Sequence, residues 1–317
     1  MRKAEDDRLT AKRFLLIKAC GDGFWHDLEH VVGALLIAEM AGRIPVVYWG
    51  KNSIYGGSEH VNAFEQFFRP VSGYTVHDLM REDYTVCPAI WNVHNLVTEE
   101  NRQWIRTWRY PLEVMLSRPE NILVLGWAPL YYVFPWLQKP HPVGGASLAT
   151  VYRYIFEKYF HLQAEVAREI NDFYHARMAG SQILALHVRG SDKVTEVPNI
   201  RQINKLYFAE IETYVAANPA AKLFLLTESA EILAEYRDLY QKKLIYTACQ
   251  RTGDDAPLYF QEHTQKIRMG IEVLKDVYLA LRCDAFRGNL LSNVSQAIAR
   301  LKSWPPDRIK LLALYQG

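Results

Sequence analysis

The sequence lacks several features that would assign it to a specialised class. It has only four cysteines in 317 residues and no C-x-x-C pair, which argues against a zinc ribbon and against a disulfide framework. No run of about 18 apolar residues occurs, so no transmembrane helix is predicted. Lys and Arg number 37 against 35 Asp and Glu, so we expect no strongly basic face and no nucleic-acid partner.

No secretory signal is predicted from the first residues of the sequence. The charged segment 1–13 leads directly into Phe14-Leu-Leu-Ile, an apolar run too short for the core of a signal peptide. We therefore expect a cytoplasmic protein with reduced thiols and at most peripheral membrane contact. Hydrophobic residues make up 50% of the chain, which excludes disorder as its main state, and its length suits about two domains.

Short apolar runs alternate with longer amphipathic patterns along the chain, which indicates an α/β protein with parallel sheets. An aromatic and proline-rich segment, 127–142, is expected to form an ordered loop whose rings stack on sugars or pack under the interdomain hinge. We place a domain boundary near residue 178, giving domains 1–178 and 179–317. The predicted strands are 14–19, 44–48, 122–126, 183–188, 223–227 and 243–246, and the predicted helices are 25–41, 147–179, 205–217, 230–241, 267–280 and 295–302.

The first motif is a glycine-containing turn between a predicted strand and a predicted helix. Gly21 and Gly23 lie in Cys20-Gly-Asp-Gly-Phe. Glycine permits close approach of the backbone to a ligand, and the N–H groups that begin a helix favour an anion. The pattern has no third glycine in register, so a phosphate contact and a tight structural turn both fit it.

The helix after this turn offers a different chemistry. His26-Asp-Leu-Glu-His30 matches H-x-x-E-H, in which two imidazoles bind zinc and the glutamate acts as a base. Glu99 or Glu100 would supply the third ligand. A glycine turn has no role in such a site, so a zinc hydrolase is the lesser alternative.

Polar residues also cluster after the predicted strand 183–188. His187, Arg189, Asp192 and Lys193 follow one another there, and ligands of α/β sheets lie beyond the carboxyl ends of strands. Arginine can hold a diphosphate through two hydrogen bonds at once. Glu196 is placed either as a general base or as a solvated loop residue.

The third motif spans residues 270–300. Its polar turn either caps the following helix through Ser292 or Asn293, or forms a second cradle for phosphate or ribose. The polar residues of the motif are Asp276, Asp284, Asn289, Ser292, Asn293 and Ser295.

Together and in this order, the motifs resemble those of the fucosyltransferase superfamily. That group includes the core α1,6-fucosyltransferases, the rhizobial nodulation fucosyltransferases and, more distantly, the protein O-fucosyltransferases. The resemblance covers residues 14–300 and includes Phe224-Leu-Leu-Thr-Glu-Ser229 and Cys283-Asp-Ala-Phe. It implies an inverting, metal-independent glycosyltransferase of GT-B type, with two Rossmann-like domains and a cleft between them. The donor would be a GDP-sugar, GDP-L-fucose first, and no cofactor is implied.

The resemblance also implies roles for single residues. Arg189 would hold the donor diphosphate beside His187 and Lys193, and Glu196, after a one-residue gap, would be the catalytic base. The other implied donor contacts are Gly21 and Gly23 from the first, acceptor-side domain, and Asp276, Ser292 and Asn293 from the second, donor-side domain.

Two departures from the family pattern occur, Gly190 in place of an arginine and Glu228 in place of an aspartate. The acceptor stays open between a glycan, a lipid-linked saccharide and a protein. A nucleotide-sugar-binding protein without transfer activity would carry the same cradle, so it remains the alternative from a different functional class.

Overall fold

The chain divides into two compact units, residues 1–163 and 164–317, and each contains a parallel β-sheet with helices. The computed structural model describes residues 12–56, 60–98, 111–190, 199–253 and 265–314. The α/β class predicted from the alternation of strands and helices is confirmed.

The described sheet of the first unit has four parallel strands in the order β2-β1-β4-β3. All five residues of β1 are buried, as expected for an apolar strand covered on both faces. The strands are β1 Phe14–Lys18, β2 Ile44–Tyr48, β3 Val86–Cys87 and β4 Ile122–Leu125.

Helix α1 is the long helix of this unit and is buried over most of its length. It ends at Ala41 and is capped by Gly42, which adopts a left-handed conformation with φ of +59°. The segment 127–142, predicted as a loop, contains the short helix α4 and the 3-10 turn Phe134–Trp136. The described helices are α1 Phe24–Ala41, α2 Phe64–Phe67, α3 Leu112–Ser117, α4 Leu130–Val133 and α5 Leu148–Tyr159.

Lys18, at the end of β1, is a buried lysine whose side chain binds a neighbouring loop. Its Nζ donates to the carbonyl oxygens of Leu96 and Thr98, at 2.6 and 3.1 Å, and lies 4.4 Å from the centre of the Trp91 ring. Burial lowers the pKa of Lys18 to about 7. The described loop 91–98 is thereby attached to the central strand of the sheet.

The described sheet of the second unit has five parallel strands in the order β7-β6-β5-β8-β9. The strands are β5 Ile183–His187, β6 Lys222–Leu226, β7 Leu244–Ile245, β8 Ala285–Asn289 and β9 Ile309–Leu312. The helices are α6 Ala164–Arg177, α7 Ile200–Ala217, α8 Ala230–Tyr240, α9 Lys266–Ala280 and α10 Asn293–Leu301. None of the described helices has the length and apolar character of a membrane span.

The single helix predicted over 147–179 is two helices, α5 and α6. The helical pattern stops at 160–163 because this stretch bonds to the chain after α2: Arg69 N–H donates to the His161 carbonyl, and Gln163 N–H to the Phe67 carbonyl.

The division into units falls between Gln163 and Ala164, 15 residues before the boundary predicted near 178. Helix α6 packs on α9 of the second unit, where Glu169 accepts hydrogen bonds from Arg268 at 2.7 Å and Lys275 at 2.9 Å. These ion pairs give α6 its partners within the second unit.

Candidate active site

His187 joins three elements of the second unit. Its Nδ1 lies 2.7 Å from Ser295 Oγ on α10, and the same hydroxyl accepts the Asn289 N–H at 3.0 Å. Burial, followed by the charge of Arg189, lowers the pKa of His187 to about 3, so the imidazole is neutral. His187 thus fixes the start of α10 beside the carboxyl ends of β5 and β8.

Arg189 lies two residues beyond the end of β5 and is held there by Glu228. Its guanidinium is 3.3 Å from one carboxylate oxygen of Glu228, and the other oxygen accepts the Gly190 N–H at 3.1 Å. Burial raises the pKa of Glu228, but the charge of Arg189 together with smaller contributions, among them the Gly190 N–H bond, outweighs burial, and the net pKa is lowered. Asn204 adds a bond from its side-chain amide to the Arg189 carbonyl, at 2.7 Å.

The same geometry explains one departure from the family pattern. A Cβ at Gly190 would lie 2.8 Å from Cβ of Ser229 and 3.0 Å from Cδ1 of Ile232. An arginine at this position would therefore displace the start of α8. With glycine at position 190, Arg189 is the arginine of this motif, and the Gly190 N–H donates to Glu228.

The turn before α10 contains polar groups with unused hydrogen-bonding capacity. Ser292 occupies the N-cap position, as predicted, but its hydroxyl makes no capping hydrogen bond. Asn289 accepts the Leu291 N–H at 2.8 Å, while its buried Nδ2 has no hydrogen-bond partner. Asn293 is exposed at the first position of the helix. Because the first N–H groups of a helix lack partners within it, this turn is suited to an anion.

Asp276 belongs to a second polar cluster, at the ends of β6 and β7. Thr247 donates its hydroxyl hydrogen to Asp276 at 2.6 Å. Burial raises the pKa of Asp276 to about 7, so the carboxyl group titrates close to neutrality. Arg251 donates to the carbonyl oxygens of Thr227, Thr247 and Cys249, at 3.2, 2.9 and 3.0 Å, and so holds the two strand ends together.

Two predicted residues, Lys193 and Glu196, lie outside the described residues, as does Asp192. The catalytic base and the second cation of the motif therefore remain predictions. A surface groove lined by Ile211, Glu212, Leu239 and Tyr240 lies near the amino end of β7. Arg189 follows the carboxyl end of β5, so the groove and Arg189 lie at opposite ends of the strands.

In the first unit, the two glycines of the predicted turn have different roles. Gly21 is buried, with φ of +84°, a conformation that glycine adopts without strain. Its N–H and that of Cys20 donate to the buried carboxyl group of Asp27, at 3.3 and 3.1 Å. Gly23 is exposed, and a Cβ there would have nothing within 4 Å. The backbone is thus open to a ligand at Gly23, whereas the Gly21 N–H is already engaged by the protein.

The histidine pair of the H-x-x-E-H motif is arranged against zinc binding. The Ala128 N–H donates to Nδ1 of His30 at 3.1 Å, so the proton of neutral His30 is on Nε2. That nitrogen lies 3.0 Å from Nε2 of His26 and donates to it. A metal ligand needs a lone pair on Nε2 and normally donates through Nδ1, which is the reverse of what His30 does.

The zinc alternative finds no further ligands in the described part of the chain. No group of three or more His, Cys, Asp and Glu side chains there is arranged to hold a metal ion. The third ligands considered, Glu99 and Glu100, lie outside that part.

Sequence reasoning missed several partners of the predicted residues. Hydrogen bonds to backbone groups are made by Asp27 and Arg251, and Thr247 bonds to Asp276, which is distant in sequence. No local sequence pattern identifies these three residues as partners. Glu228 was noted as a departure from the family pattern, but its contact with Arg189 could only be seen in the folded unit.

Comparisons with known proteins support the fold. No protein-family model matches the chain, and no curated protein matches its sequence. Among solved structures, NodZ α-1,6-fucosyltransferase soaked with GDP-fucose matches with a TM-score of 0.60 and 19% identity, over 92% of this chain and 93% of that one. Fucosyltransferase NodZ from Bradyrhizobium matches with a TM-score of 0.57 and 18% identity, over 90% and 92%.

A second group of matching solved structures consists of structures of POFUT1. POFUT1 in complex with GDP-fucose gives a TM-score of 0.54 and 12% identity, over 96% of this chain and 99% of that one. The chain therefore has the α/β fold of the GT-B fucosyltransferases, with parallel sheets that fit Rossmann-like domains. The resemblance predicted from the motifs is confirmed at the level of the fold.

Proposed function

We propose that this chain is an inverting, metal-independent glycosyltransferase that moves L-fucose from GDP-fucose to a glycan hydroxyl. The observation that carries the proposal is that Arg189 and the start of α10 follow the carboxyl ends of two paired strands, β5 and β8. The His187–Ser295–Asn289 hydrogen bonds connect these two strand ends with α10, and the unpartnered Nδ2 of Asn289 lies in the same turn. A guanidinium and a helix N-terminus at the same end of a sheet suit a diphosphate.

The solved structures with this fold support the choice of donor. NodZ was soaked with GDP-fucose and co-crystallised with GDP, and POFUT1 was crystallised with GDP-fucose. In this chain Arg189, Ser292 and Asn293 would contact the diphosphate, and Lys193 would add to them. In the first unit, Gly21 would act only through the shape of its turn, because its N–H is bound to Asp27.

The proposed reaction is a single displacement at the anomeric carbon. The acceptor oxygen bonds to that carbon while the carbon–oxygen bond to the β-phosphate breaks, and its electron pair leaves with GDP. The acceptor proton passes to the carboxylate of Glu196, a step worth about 10²–10⁴-fold in rate for a placed base. Arg189 and the N–H groups of α10 stabilise the negative charge that develops on GDP, which is the task a divalent cation performs in other enzymes.

Asp276 would bind the nucleoside part of the donor. Its carboxylate, oriented by Thr247, can accept hydrogen bonds from the N–H groups of guanine or from the hydroxyl groups of ribose. Because burial raises the pKa of Asp276 to about 7, this contact would strengthen as the pH rises through neutrality and the carboxylate forms.

A thermal-shift series with GDP, UDP, ADP and CMP tests the donor class. A ligand that binds only the folded chain raises its melting temperature, and we expect the largest rise with GDP, lost in Arg189→Ala. Arg69→Ala, which removes an exposed arginine of the first unit, is the matched control. Equal shifts with all four nucleotides, or none, would contradict the proposal.

Transfer itself needs a separate experiment. GDP-fucose incubated with candidate glycans should release GDP at a rate that excess EDTA leaves unchanged. Tight GDP binding without release for any acceptor would instead favour the nucleotide-sugar-binding alternative. Inhibition by EDTA that zinc reverses would instead favour the zinc hydrolase.

A further inference from the structure

The first unit contains a row of four rings that the proposed donor site does not use. His26, His30, Trp127 and Tyr132 follow one another with ring centres 4.7, 5.9 and 5.5 Å apart; we call these four residues the ring row. His30 is buried, while the other three are partly exposed. Asp22 adds a carboxylate at one end, 3.5 Å from Nε2 of His26.

The ring row lies where a parallel sheet normally binds ligands. Trp127 follows the end of β4, and Asp22 and His26 follow the end of β1, its neighbour in the sheet. The next strand in sequence after β1 is β2, which lies on the other side of β1 from β4. The direction of the chain thus changes between β1 and β4, and ligands of open α/β sheets bind in the crevice at such a point.

The backbone beneath the ring row is fixed. Gly33 of α1 lies so close to Ala128 that a Cβ on it would be 1.9 Å from the Ala128 carbonyl oxygen. The Ala128 N–H is bonded to His30, and the Cys20 thiol contacts the Gly126 carbonyl at 3.1 Å. The rings are therefore placed before any ligand arrives, which reduces the entropy lost on binding.

The chemistry of the row suits an uncharged sugar. The partly exposed indole and phenol faces of Trp127 and Tyr132 offer apolar area to the C–H face of a pyranose ring. Asp22 and His26 offer a carboxylate and an imidazole to its hydroxyl groups. The carboxylate of Asp22 repels phosphates, sulfates and uronic acids, so it selects against anionic ligands.

We infer that the ring row is the acceptor subsite of this chain and that it binds a neutral pyranose oligosaccharide, an assignment that rests on the proposed function for the word acceptor. The sugar stacks on Trp127 and Tyr132 and bonds through its hydroxyl groups to His26 and Asp22. A peptide acceptor would not require two aromatic faces beside a carboxylate and an imidazole that bind hydroxyl groups.

Binding to immobilised neutral oligosaccharides tests the inference without any nucleotide. The probes are N-acetylchitotetraose, cellotetraose, maltotetraose and a galactose oligomer, measured against the wild-type chain. We expect at least one to bind and Tyr132→Ala to weaken it by about tenfold, the scale of a lost ring contact. Tyr132→Phe keeps the ring and should retain most of the affinity.

Tyr131→Ala is the matched control. Tyr131 is the preceding residue of α4, is 62% exposed and lies outside the ring row. Its loss should change the affinity by no more than about twofold, as for surface residues in general. Since Trp127 also packs against the core, Trp127→Ala is interpreted only if its melting temperature matches that of the wild type, and His26→Ala is the second variant.

The outcomes separate this inference from the donor proposal. Failure of every oligosaccharide to bind, or equal loss in Tyr131→Ala and Tyr132→Ala, overturns the acceptor subsite. Transfer to a peptide that Tyr132→Ala leaves unaffected overturns it as well. GDP binding is measured on the same proteins, so a chain that binds sugar at the ring row but no GDP would refute the proposed function alone.

Discussion

The carboxylate of Glu228 contacts the Arg189 segment twice, at the guanidinium and at the Gly190 N–H. One side chain therefore sets both the charge balance and the backbone position at the end of β5. Any ligand of Arg189 meets a guanidinium whose orientation is already determined.

Removing this carboxylate should destabilise the second unit. Glu228→Ala leaves a largely buried guanidinium and a buried N–H without their acceptor, so we expect the free energy of unfolding to fall by about 1–3 kcal/mol. Glu228→Gln retains an oxygen for Gly190 and should lose less. Urea unfolding of both variants checks this, and equal losses would show that the Gly190 bond contributes nothing.

Replacement of Arg189 should slow the reaction without changing the secondary structure. If the guanidinium stabilises the leaving diphosphate, Arg189→Ala lowers kcat/KM for transfer by about 10²–10³-fold, with an unchanged circular dichroism spectrum. Arg189→Lys keeps the charge but loses the two-bond geometry, so an intermediate activity is expected. Near-native turnover by the alanine variant would remove Arg189 from the mechanism.

The buried carboxyl group of Asp27 predicts a specific dependence of stability on pH. Burial, with the charge of Asp22 adding to it, raises the pKa of Asp27 to about 8 in the folded chain, against about 3.9 when unfolded. Between these values the folded state holds a proton that the unfolded state has lost, so the free energy of unfolding falls as the pH rises from about 4 to 8.

Asp27→Asn isolates this contribution from that of other groups. The difference in the free energy of unfolding between pH 5 and pH 8, measured by urea titration, should be smaller in the variant by about 1–3 kcal/mol. An identical pH dependence in both proteins would mean that Asp27 keeps its ordinary pKa beside the Cys20 and Gly21 N–H groups.

Two glycines of the first unit should differ in their tolerance of alanine. Gly33→Ala forces a methyl group onto the Ala128 carbonyl, and we expect a loss of about 2–3 kcal/mol despite the higher helix propensity of alanine. Gly23→Ala has open space and a φ of −61°, so stability should stay within about 0.5 kcal/mol of the wild type. The melting temperatures of both alanine variants, compared with that of the wild type, test this prediction.

The strands buried on both faces could be predicted from the sequence because each is a short unbroken apolar run. β1, β2, β4, β5 and β6 lie within one or two residues of their predicted limits. β8 was missed because its sequence, Ala-Phe-Arg-Gly-Asn, contains residues that are rare in strands. Arg287 is accommodated there because Glu210 pairs with it at 2.8 Å, a contact that a local pattern cannot reveal.

The break between α5 and α6 was unpredictable for a related reason. No proline or glycine lies between residues 160 and 163; the helix stops because distant backbone groups of Phe67 and Arg69 bond to it. At the candidate site, the motif residues could be found because ligand-binding groups follow strand ends. Their partners, such as Thr247 for Asp276, are supplied by the tertiary fold.

The attachment of Lys18 to Leu96 and Thr98 has a consequence for a cleaved chain. If a protease cut the backbone after Thr98, Leu96 and Thr98 would still be hydrogen-bonded to the Lys18 side chain at the end of β1. The new chain end at Thr98 would therefore stay attached to the unit. Acetylation of Lys18 would remove that attachment without breaking a single peptide bond.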